Sequence, residues 1–475
     1  MKQYEQLYID GQWVPAQGDS HIELKNPATQ EVVATFRNAS IEDADLAVAA
    51  AKAAFPSFSE TTVDERIALL ERILVEYEKR REDFSQALTE EMGAPITLAR
   101  TSQSGLGVAH LERTIAGLKN IQMEEKRGPS TILSQPAGVA VLITPWNWPI
   151  NQVFTKVASA LAAGCTMILK PSQFAPLDAQ LFAEVIDAAG VPAGVFNLVY
   201  GPGSTVGRHL TRHEDVDVVS FTGSTEAGRQ ISKDAAETIK IVHLELGGKS
   251  PNVILDDADF ETAVTNGVHA CFSNAGQSCS VATRMLVPND RLEEVEQIAK
   301  RAAESYVLGD PTDEATTMGP IVSTKQWESI QGDIKKGIEE GGHLVTGGPG
   351  KPEGLEQGNY CKPTIFSGVD SKATIAQEEI FGPVLTIIGY DTEEEAIRIA
   401  NDSIYGLASV VQSSDKERAI RVARQIRAGH VYINHHFNEY AAVPFGGWKQ
   451  SGLGYEHDEW GIKGFLLNKA VLGAN

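Results

Sequence analysis

The spacing of hydrophobic positions changes near residue 139 and separates two kinds of predicted element. Before this point, residues 43–55 and 64–94 carry Ala, Leu and Ile at three- and four-residue intervals between charges, which predicts amphipathic helices. After it come short apolar runs whose starts lie between 21 and 29 residues apart. These runs are VAVLIT (139–144), TMILKP (166–171), VFNLVYG (195–201), VDVVSFTG (216–223) and KIVHLELG (240–247).

Helix-like segments at 151–164, 176–190 and 226–236 fill three of the intervals. This alternation is typical of βαβ units and predicts a parallel sheet that is buried on both faces. Open α/β sheets bind ligands beyond the carboxyl ends of their strands. We therefore expect functional residues directly after the five runs, at 144–147, 170–173, 201–207, 222–228 and 245–249.

A second α/β pattern follows Pro251. It predicts strands at 252–255, 283–288 and 383–390 and a long helix over 290–306. At the N-terminus, polar and apolar residues alternate around Gly11, as in a β-hairpin.

The composition narrows the classes of partner. Among the 475 residues, 41 are Lys or Arg and 63 are Asp or Glu, for a net charge of −22, which opposes binding to nucleic-acid phosphates or anionic lipid. The apolar stretches at 139–150 and 159–169 are shorter than the ~20 residues that span a membrane. We expect a cytoplasmic protein with neither a nucleic-acid nor a membrane partner.

The four cysteines form no CxxC pair, and no HExxH motif occurs, so neither a disulfide framework nor a metal site is predicted. Cys165 lies among apolar residues, as a structural cysteine does. Cys279 lies instead in the small, polar run FSNAGQSCSVATR (272–284), which predicts a loop between a helix and a strand. A thiol there becomes a nucleophile when its surroundings lower its pKa. The run by itself leaves open whether Cys279 is reactive or structural.

Two other polar residues stand at predicted strand ends. Glu245 ends an apolar run just before Gly247 and Gly248, where it is either a functional carboxylate or an ion-pair partner, for example of Lys249. Asn147, between two prolines in TPWNWP, is either an oxyanion donor or a turn residue. The glycine motifs GPGSTVG (201–207) and FTGSTEAG (221–228) fit either phosphate cradles or strand-to-helix turns.

Taken together, eight motifs resemble the aldehyde dehydrogenase superfamily, in its order and spacing and over essentially the whole chain. They are PWNWP (145–149), KPS (170–172), FTGS (221–224), LELGGKSP (244–251), NAGQSC (274–279), EEIFGPV (378–384), YGL (405–407) and PFGGWKQSG (444–452). The resemblance implies an α/β fold with three parts. Residues 1–118 and 138–246 would form a Rossmann-like, parallel-sheet NAD(P)-binding domain, 247–450 an α/β catalytic domain, and 119–137 with 451–475 a small β oligomerisation element of a homodimer or homotetramer.

The resemblance also implies the reaction, in which an aldehyde is oxidised to a carboxylic acid through a hemithioacetal and a thioester on Cys279. Asn147 and the backbone NH of Cys279 would hold the oxyanion, and Glu245 would activate the water that hydrolyses the thioester. Lys170 would complete the catalytic set and bind the adenosine ribose. The implied cofactor contacts are Ile143, Thr144, Pro145, Trp146, Lys170, Ser172, Gln173, Gly203, Phe221, Gly223, Ser224, Leu246, Glu379 and Phe381.

Three positions depart from the family pattern. Gln173 replaces a glutamate that repels a 2′-phosphate, so NAD is the expected cofactor and NADP stays open. Val281 replaces a small alanine, and the segment YEHDEWG (455–461) differs from the usual arginine, glutamate and glycine. The alternatives to a hydrolytic enzyme are a relative that transfers the acyl group to coenzyme A and a catalytically silent binding protein.

The substrate is less readable than the reaction. Polar residues near the nucleophile and before PFGG favour a small polar aldehyde or semialdehyde over a long alkyl one; these are Ser273, Ser278, Ser280, Thr155, His435, His436 and Asn438.

Overall fold

Four β-sheets organise the chain in the computed structural model, which describes residues 1–435 and 442–473. The strands are β1 (Lys2–Tyr4), β2 (Gln6–Ile9), β3 (Gln12–Pro15), β4 (His21–Lys25), β5 (Val32–Arg37), β6 (Glu124–Arg127), β7 (Ser130–Pro136), β8 (Val139–Ile143), β9 (Thr166–Lys170), β10 (Phe196–Leu198), β11 (Val218–Thr222), β12 (Ile241–Glu245), β13 (Pro251–Ile254), β14 (Arg284–Pro288), β15 (His343–Thr346), β16 (Thr364–Ser367), β17 (Val384–Tyr390), β18 (Ala408–Gln412), β19 (His430–Ile433), β20 (Gly452–Leu453) and β21 (Leu466–Val471).

The helices pack on these sheets. They are α1 (Ile41–Ser59), α2 (Val63–Lys79), α3 (Arg81–Met92), α4 (Ile96–Leu98), α5 (Ser104–Asn120), α6 (Pro149–Ala163), α7 (Leu177–Ala188), α8 (Arg208–Arg212), α9 (Thr225–Ala235), α10 (Phe260–Phe272), α11 (Leu292–Glu304), α12 (Thr324–Glu339), α13 (Thr374–Gln377), α14 (Glu393–Asn401), α15 (Lys416–Ala423) and α16 (Asp458–Lys463). Short π-helical turns at Ala99–Gln103 and Gly203–Gly207 lead into α5 and α8.

The first large sheet confirms the predicted parallel α/β architecture. The five apolar runs form parallel strands in the order β12-β11-β8-β9-β10. Strands β8, β9, β10 and β11 are buried along their whole length, because helices cover both faces. The carboxyl ends of all five strands therefore meet at one edge of the sheet.

Two antiparallel additions extend this sheet to eight strands. The N-terminal hairpin β2–β3 pairs with β10, and its turn carries positive φ at Asp10 (54°) and Gly11 (70°), as a two-residue hairpin turn requires. The hairpin prediction is confirmed. On the opposite edge, β20 pairs with β12.

The second large sheet has seven strands in the order β15-β16-β17-β14-β13-β18-β19, with its own apolar core. The three strands predicted after Pro251 are β13, β14 and β17, and the helix predicted at 290–306 is α11. A small sheet, β21-β7-β6, joins 124–136 to 466–471. The tail from 451 is divided between two sheets, since β20 belongs to the first large sheet and β21 to the small sheet.

The segment 64–94 forms two helices, α2 and α3, because Arg80 leaves helical geometry at φ −112°, ψ 7°. Its hydrophobic spacing continues through the break and so does not reveal it. Within the described parts of the chain, the helices are too short or too polar to cross a membrane.

Candidate active site

The strand edge and the Cys279 loop face each other across the junction of the two large sheets. The loop follows α10 and precedes β14, where the sequence placed it. Its backbone turns sharply, since Asn274, Ala275 and Gly276 all have positive φ between 54° and 72°. Cys279 follows at the end of the loop and is half-buried.

Amide side chains hold the loop in place. Asn147 Nδ2 donates to the Gln277 carbonyl at 3.0 Å, and Asn274 Nδ2 donates to the Asn147 carbonyl at 2.9 Å. The Gln277 side chain accepts the backbone NH of Val322 at 3.0 Å. Asn147 is therefore fixed beside the thiol loop by bonds in both directions. Each amide nitrogen carries two hydrogens, so Nδ2 keeps one donor beyond its bond to Gln277.

The two glycines after Glu245 let the loop approach the strand edge. A β-carbon on Gly248 would lie 2.3 Å from the Cys279 carbonyl oxygen, and one on Gly247 would lie 2.3 Å from Glu379 Oε2. The backbone NH of Gly248 donates to Glu379 Oε1 at 2.9 Å. Only glycine permits these contacts, which bring Glu245, Cys279 and Glu379 to one place.

The YGL and PFGGWKQSG motifs meet at the same glycines. Ser451 Oγ donates to the Gly247 carbonyl at 2.6 Å and accepts the backbone NH of Gly406 at 2.9 Å. The Ser451 carbonyl accepts the NH of Leu246 at 2.8 Å. One buried serine thus positions the backbone that follows Glu245.

Two carboxyl groups influence the thiol of Cys279. Burial, and then the carboxylates of Glu379 and Glu245, raise the pKa of Cys279 well above its usual range. Both effects favour the protonated form of the thiol. A base or a positive charge must act on it before it attacks a carbonyl carbon.

Glu245 ends β12 with only 3% of its surface exposed, and its Oε2 has no hydrogen-bond partner among the described residues. Burial and then the charge of Glu456 raise its pKa, whereas Lys156 lowers it. The predicted alternative, an ion pair with Lys249, does not occur, because the Lys249 ammonium is also buried without a partner in the described chain.

Sequence reasoning missed the ion pair next to Glu245. Lys156 on α6 is bonded to Glu456, both are buried, and Lys156 Nζ also donates to Ser220 Oγ at 3.0 Å. Lys156 resembled an ordinary helix position, but it is the only charged residue of α6. Glu456 belongs to YEHDEWG, the segment that departs from the family pattern. The sequence analysis therefore noted this segment but did not connect it with Lys156.

Lys170 bridges two strand ends. Its Nζ donates to the carbonyls of Pro171 at 2.9 Å and Gly201 at 3.2 Å, and Gly207 lies against its side chain. Burial lowers its pKa to about 8. The ammonium thus lies where β9 and β10 both end.

The other predicted cofactor residues share that edge or the loops that continue from it. Gly223 donates its NH to the Glu245 carbonyl at 3.0 Å, and Ser224 caps α9 by accepting the NH of Ala227. Leu246 packs where Gly228 lacks a β-carbon. Residues at or directly after strand ends are Ile143, Thr144, Pro145 and Trp146 after β8, Ser172 and Gln173 after β9, Gly203 after β10 and Phe221 in β11.

The two adjacent glutamates of EEIFGPV, Glu378 and Glu379, differ in their exposure. Glu378 is exposed, whereas Glu379 is half-buried and burial raises its pKa to about 7. Phe381 has a positive φ of 56°, and its ring meets Trp146 edge-on with centroids 5.4 Å apart. The Glu379 carboxylate and two aromatic rings therefore flank the same space.

These groups fit a nicotinamide dinucleotide. The N-terminus of α9 supplies backbone NH groups for a pyrophosphate, Lys170 supplies a buried cation, and Glu379 supplies a carboxylate for sugar hydroxyls. At Gly203 nothing lies within 4 Å of the place of a β-carbon, which leaves the backbone open to close approach.

The residues predicted to contact the substrate differ in exposure and in hydrogen bonding. Ser278 Oγ accepts a hydrogen bond from Trp148 Nε1 at 2.7 Å, and the Thr155 hydroxyl donates to the Asn151 carbonyl at 2.8 Å. Both hydroxyls therefore already make a hydrogen bond within the protein. His435 is exposed and its ring contacts Tyr432. His436 and Asn438 lie outside the described residues.

One cluster of metal-ligand types lies elsewhere, where Asp45 on α1 faces His209 and His213. His213 Nδ1 accepts the backbone NH of Asp215 at 3.1 Å, which leaves the ring proton on Nε2, toward Asp45. This tautomer suits a hydrogen bond rather than metal coordination.

Comparisons with known proteins agree with the architecture. The profile of the aldehyde dehydrogenase family matches residues 13–471. A 3-succinoylsemialdehyde-pyridine dehydrogenase of a Pseudomonas species is 50% identical over 100% of this chain and 99% of its own.

Solved structures match over nearly the whole fold. A mutant of aldehyde dehydrogenase C from Pseudomonas syringae, complexed with NAD+ and octanal, has a TM-score of 0.98 and 48% identity over 99% of this chain and 97% of that chain. A Mycobacterium tuberculosis aldehyde dehydrogenase complexed with NAD+ has a TM-score of 0.96 and 40% identity, covering 99% and 98%. With the converging thiol, carboxylates and amide, these matches show that the chain belongs to the aldehyde dehydrogenase family, whose reaction is the oxidation of an aldehyde to a carboxylic acid.

Proposed function

We propose that Cys279 is the nucleophile of this oxidation and that Glu245 is the base that completes it. The observation that carries the proposal is the close approach of the Cys279 loop to the Glu245 strand end, which Gly248 alone permits. The Cys279 sulfur bonds to the aldehyde carbon and gives a hemithioacetal, and loss of hydride from that carbon leaves a thioester. Thiolates both attack and leave readily, which suits a two-step route.

Asn147 stabilises the oxyanion that forms in each step. Its Nδ2 hydrogen that does not engage Gln277 and the backbone NH of Cys279 are the donors. Because Asn147 is bonded on both sides, it needs no reorganisation when charge develops on oxygen. A single donor of this kind contributes about 100- to 1000-fold to kcat.

Glu245 removes a proton from the water that attacks the thioester. Its unpartnered Oε2 is the accepting atom. Besides burial, which raises the pKa of Glu245, the buried Lys156–Glu456 pair acts on it, since Glu456 raises this pKa and Lys156 lowers it. This intact base favours hydrolysis over transfer to coenzyme A, and turnover that does not depend on added coenzyme A distinguishes the two.

NAD is the proposed cofactor. A bound oxidised nicotinamide would accept the hydride and place a positive charge beside the thiol. Lys170, the N-terminus of α9 and Glu379 would hold it. The relatives complexed with NAD+ support this choice.

Gln173 tests the cofactor preference. It lines a surface cavity of about 420 Å³ together with Pro202, so charge rather than space decides whether a 2′-phosphate is accepted there. Gln173→Glu should raise the ratio of kcat/KM for NAD to that for NADP by about tenfold, equal to ~1.4 kcal/mol. Gln30→Glu, on the same cavity, is the control, and an equal change in both variants would refute direct contact.

We further propose that the enzyme is a homodimer or homotetramer in the cytoplasm. The small sheet β21-β7-β6 exposes Leu467 and Val471 on β21, which favours subunit contact there. The four cysteines are free thiols, as in a reducing compartment. Light scattering of the purified protein measures the subunit number.

The direct test compares two cysteines. Cys279→Ala should abolish aldehyde-dependent cofactor reduction, whereas Cys271→Ala, at a fully buried site on α10, should retain it. Retained turnover in Cys279→Ala would overturn the assignment. Cofactor binding without reduction in the wild type, for every aldehyde tried, would favour a silent scaffold.

A further inference from the structure

Gln103 is a fully buried side chain that contacts the Cys279 loop. It is the last residue of the π-helical turn Ala99–Gln103. Its Nε2 donates to Oδ1 of Asn274 at 3.3 Å, across 171 residues of sequence. Its Oε1 has no hydrogen-bond partner among the described residues. Burying an amide with one half unused costs stability, so the bond from Nε2 is the polar interaction that accounts for this side chain.

The partners of Asn274 leave its amide only one orientation. Its Nδ2 donates to the carbonyl oxygens of Asn147, at 2.9 Å, and Gln277, at 3.3 Å. Carbonyl oxygens only accept hydrogen bonds, so the nitrogen must point to them, and both of its hydrogens are used. Oδ1 must then face Gln103, which has to present a donor. A glutamine supplies that donor, whereas a carboxylate of the same shape does not.

The bond from Gln103 acts on a strained part of the loop. Asn274 and Ala275 both have a φ of 54°, in the left-handed region that residues other than glycine rarely adopt. Such conformations persist only where the surrounding contacts determine them. At Asn274 those contacts include its carbonyl, which accepts both the backbone NH and the side chain of Gln277 at 3.1 Å. Without the donor from Gln103, Oδ1 of Asn274 would be buried without a partner, which favours a turn of the whole amide.

Asn274 is one hydrogen bond away from the proposed oxyanion donor. Its Nδ2 holds the carbonyl of Asn147, and Asn147 Nδ2 in turn donates to the carbonyl of Gln277 at 3.0 Å. If the amide of Asn274 turned, Asn147 would lose the first of these two bonds. Oxyanion stabilisation depends on donors that are fixed before charge develops, so a looser Asn147 slows the reaction.

The π-helical turn that carries Gln103 is itself held in place. The NH of Ser104 donates to the carbonyl of Ala99, five residues back instead of the four of an α-helix. Tyr77 on α2 donates its hydroxyl to the Ser104 carbonyl at 2.8 Å, and Ser85 on α3 donates to Ser104 Oγ at 3.1 Å. Turns of this kind recur at functional sites. Here the turn ends on the residue that reaches the loop.

We infer that Gln103 is a positioning residue of the oxidation, which holds the oxyanion donor Asn147 through the side chain of Asn274. The inference rests on the proposed function, since it assumes that Asn147 stabilises the oxyanion. Among the described residues Gln103 bonds through its side chain to Asn274 alone. Its loss should therefore lower kcat and change KM for NAD less than about twofold.

Gln103→Met keeps the length of the side chain and removes the donor. It should lower kcat about tenfold, the upper range for one hydrogen bond between neutral groups. Cofactor reduction with NAD and the best aldehyde of a panel measures this. Gln331→Met is the matched control, because Gln331 is a buried amide on α12 that accepts the NH of Gly350 at 2.6 Å and contacts Cys361. The control should lower stability and change kcat less than about twofold.

The sharpest comparison combines Gln103→Met with Asn147→Ala. Asn147→Ala by itself should lower kcat about 100- to 1000-fold. In that background Gln103→Met should change kcat less than about twofold, because losses at residues that act as a unit are not additive. Losses that multiply in the double variant would mean that Gln103 acts by packing, and they would overturn the inference. An Asn147→Ala enzyme with the wild-type kcat would instead refute the oxyanion role in the proposed function.

Gln103→Glu gives a second readout, which serves if the methionine variant does not fold. A protonated carboxyl group can donate to Asn274 Oδ1, whereas a carboxylate only accepts and is repelled by it. We expect kcat of this variant, relative to wild type at the same pH, to fall as the pH rises. A lowered ratio that stays constant with pH overturns the inference. If no aldehyde reduces the cofactor in the wild type, the proposed function itself fails, which is a distinct result.

Discussion

The carbonyl oxygen of Cys279 lies 2.3 Å from the point where a β-carbon on Gly248 would be. The thiol loop and the strand that carries Glu245 therefore touch through backbone, with no side chain between them. This contact sets the distance between nucleophile and base more rigidly than a side-chain contact would. Steric contact therefore explains why LELGGKSP has glycine at positions 247 and 248.

Gly248→Ala should displace the Cys279 loop. Because the clash is with backbone, the loop must shift, and a shift of about 1 Å at a reacting group costs on the order of 100-fold in kcat/KM. Gly332→Ala, with nothing within 4 Å of its added β-carbon, is the control and should keep full activity. Steady-state kinetics and circular dichroism of both variants check this, and an active Gly248→Ala enzyme would contradict the steric account.

The buried Lys156–Glu456 pair should tune the base in opposite directions. Glu456 raises and Lys156 lowers the pKa of Glu245. A base must be ionised to act, so Glu456→Gln should move the acidic limb of the pH profile of kcat to lower pH. Lys156→Met should move it to higher pH.

Both variants also leave a buried charge without its partner, at a cost of about 3–5 kcal/mol of stability. Thermal unfolding therefore accompanies the pH profiles as a separate readout. If both variants lose stability while the midpoint of the acidic limb stays fixed, the pair is structural only.

A buried pair of carboxyl groups, Asp178 and Glu91, should make stability depend on pH. Burial raises the pKa of Asp178 to about 7, and burial and then Asp178 raise the pKa of Glu91. In the unfolded chain an aspartate titrates near ~3.9, so between about pH 4 and 7 the folded state retains a proton that the unfolded state releases. Stability is therefore lost as the pH rises through this window, and the loss is complete above it.

Asp178→Asn removes this loss. The variant should raise Tm more at pH 8 than at pH 5, by roughly 2 °C or more. Differential scanning fluorimetry at the two pH values measures it, with Asp19→Asn on the surface as the control. An equal shift at both pH values would show that the pair is not strained by ionisation.

Much of the fold was readable because parallel strands are buried on both faces and appear as continuous apolar runs. The five runs from 139 to 247 and the hairpin around Gly11 formed as predicted. The antiparallel strand Gly452–Leu453 was not readable, because two residues carry no periodicity and their pairing with β12 is a long-range contact. The break between α2 and α3 at Arg80 was not predicted either, because the helical spacing of apolar residues continues through it.

The site was readable to the extent that its residues stand at strand ends or in motifs. Cys279, Glu245 and Asn147 were predicted in this way, and the structure brings these three residues together. Lys156 escaped notice because its partner, Glu456, is 300 residues away in sequence.

The central claim is that a thioester on Cys279 is resolved by Glu245, and one measurement tests both halves. Glu245→Gln protein is mixed with excess aldehyde and NAD, and cofactor reduction is followed together with the mass of the intact protein and of its proteolytic peptides. The account predicts a burst of one reduced cofactor per subunit, followed by slow turnover, with the acyl mass on the peptide that contains Cys279. Steady turnover at the wild-type rate, or an acyl group on another residue, would contradict it.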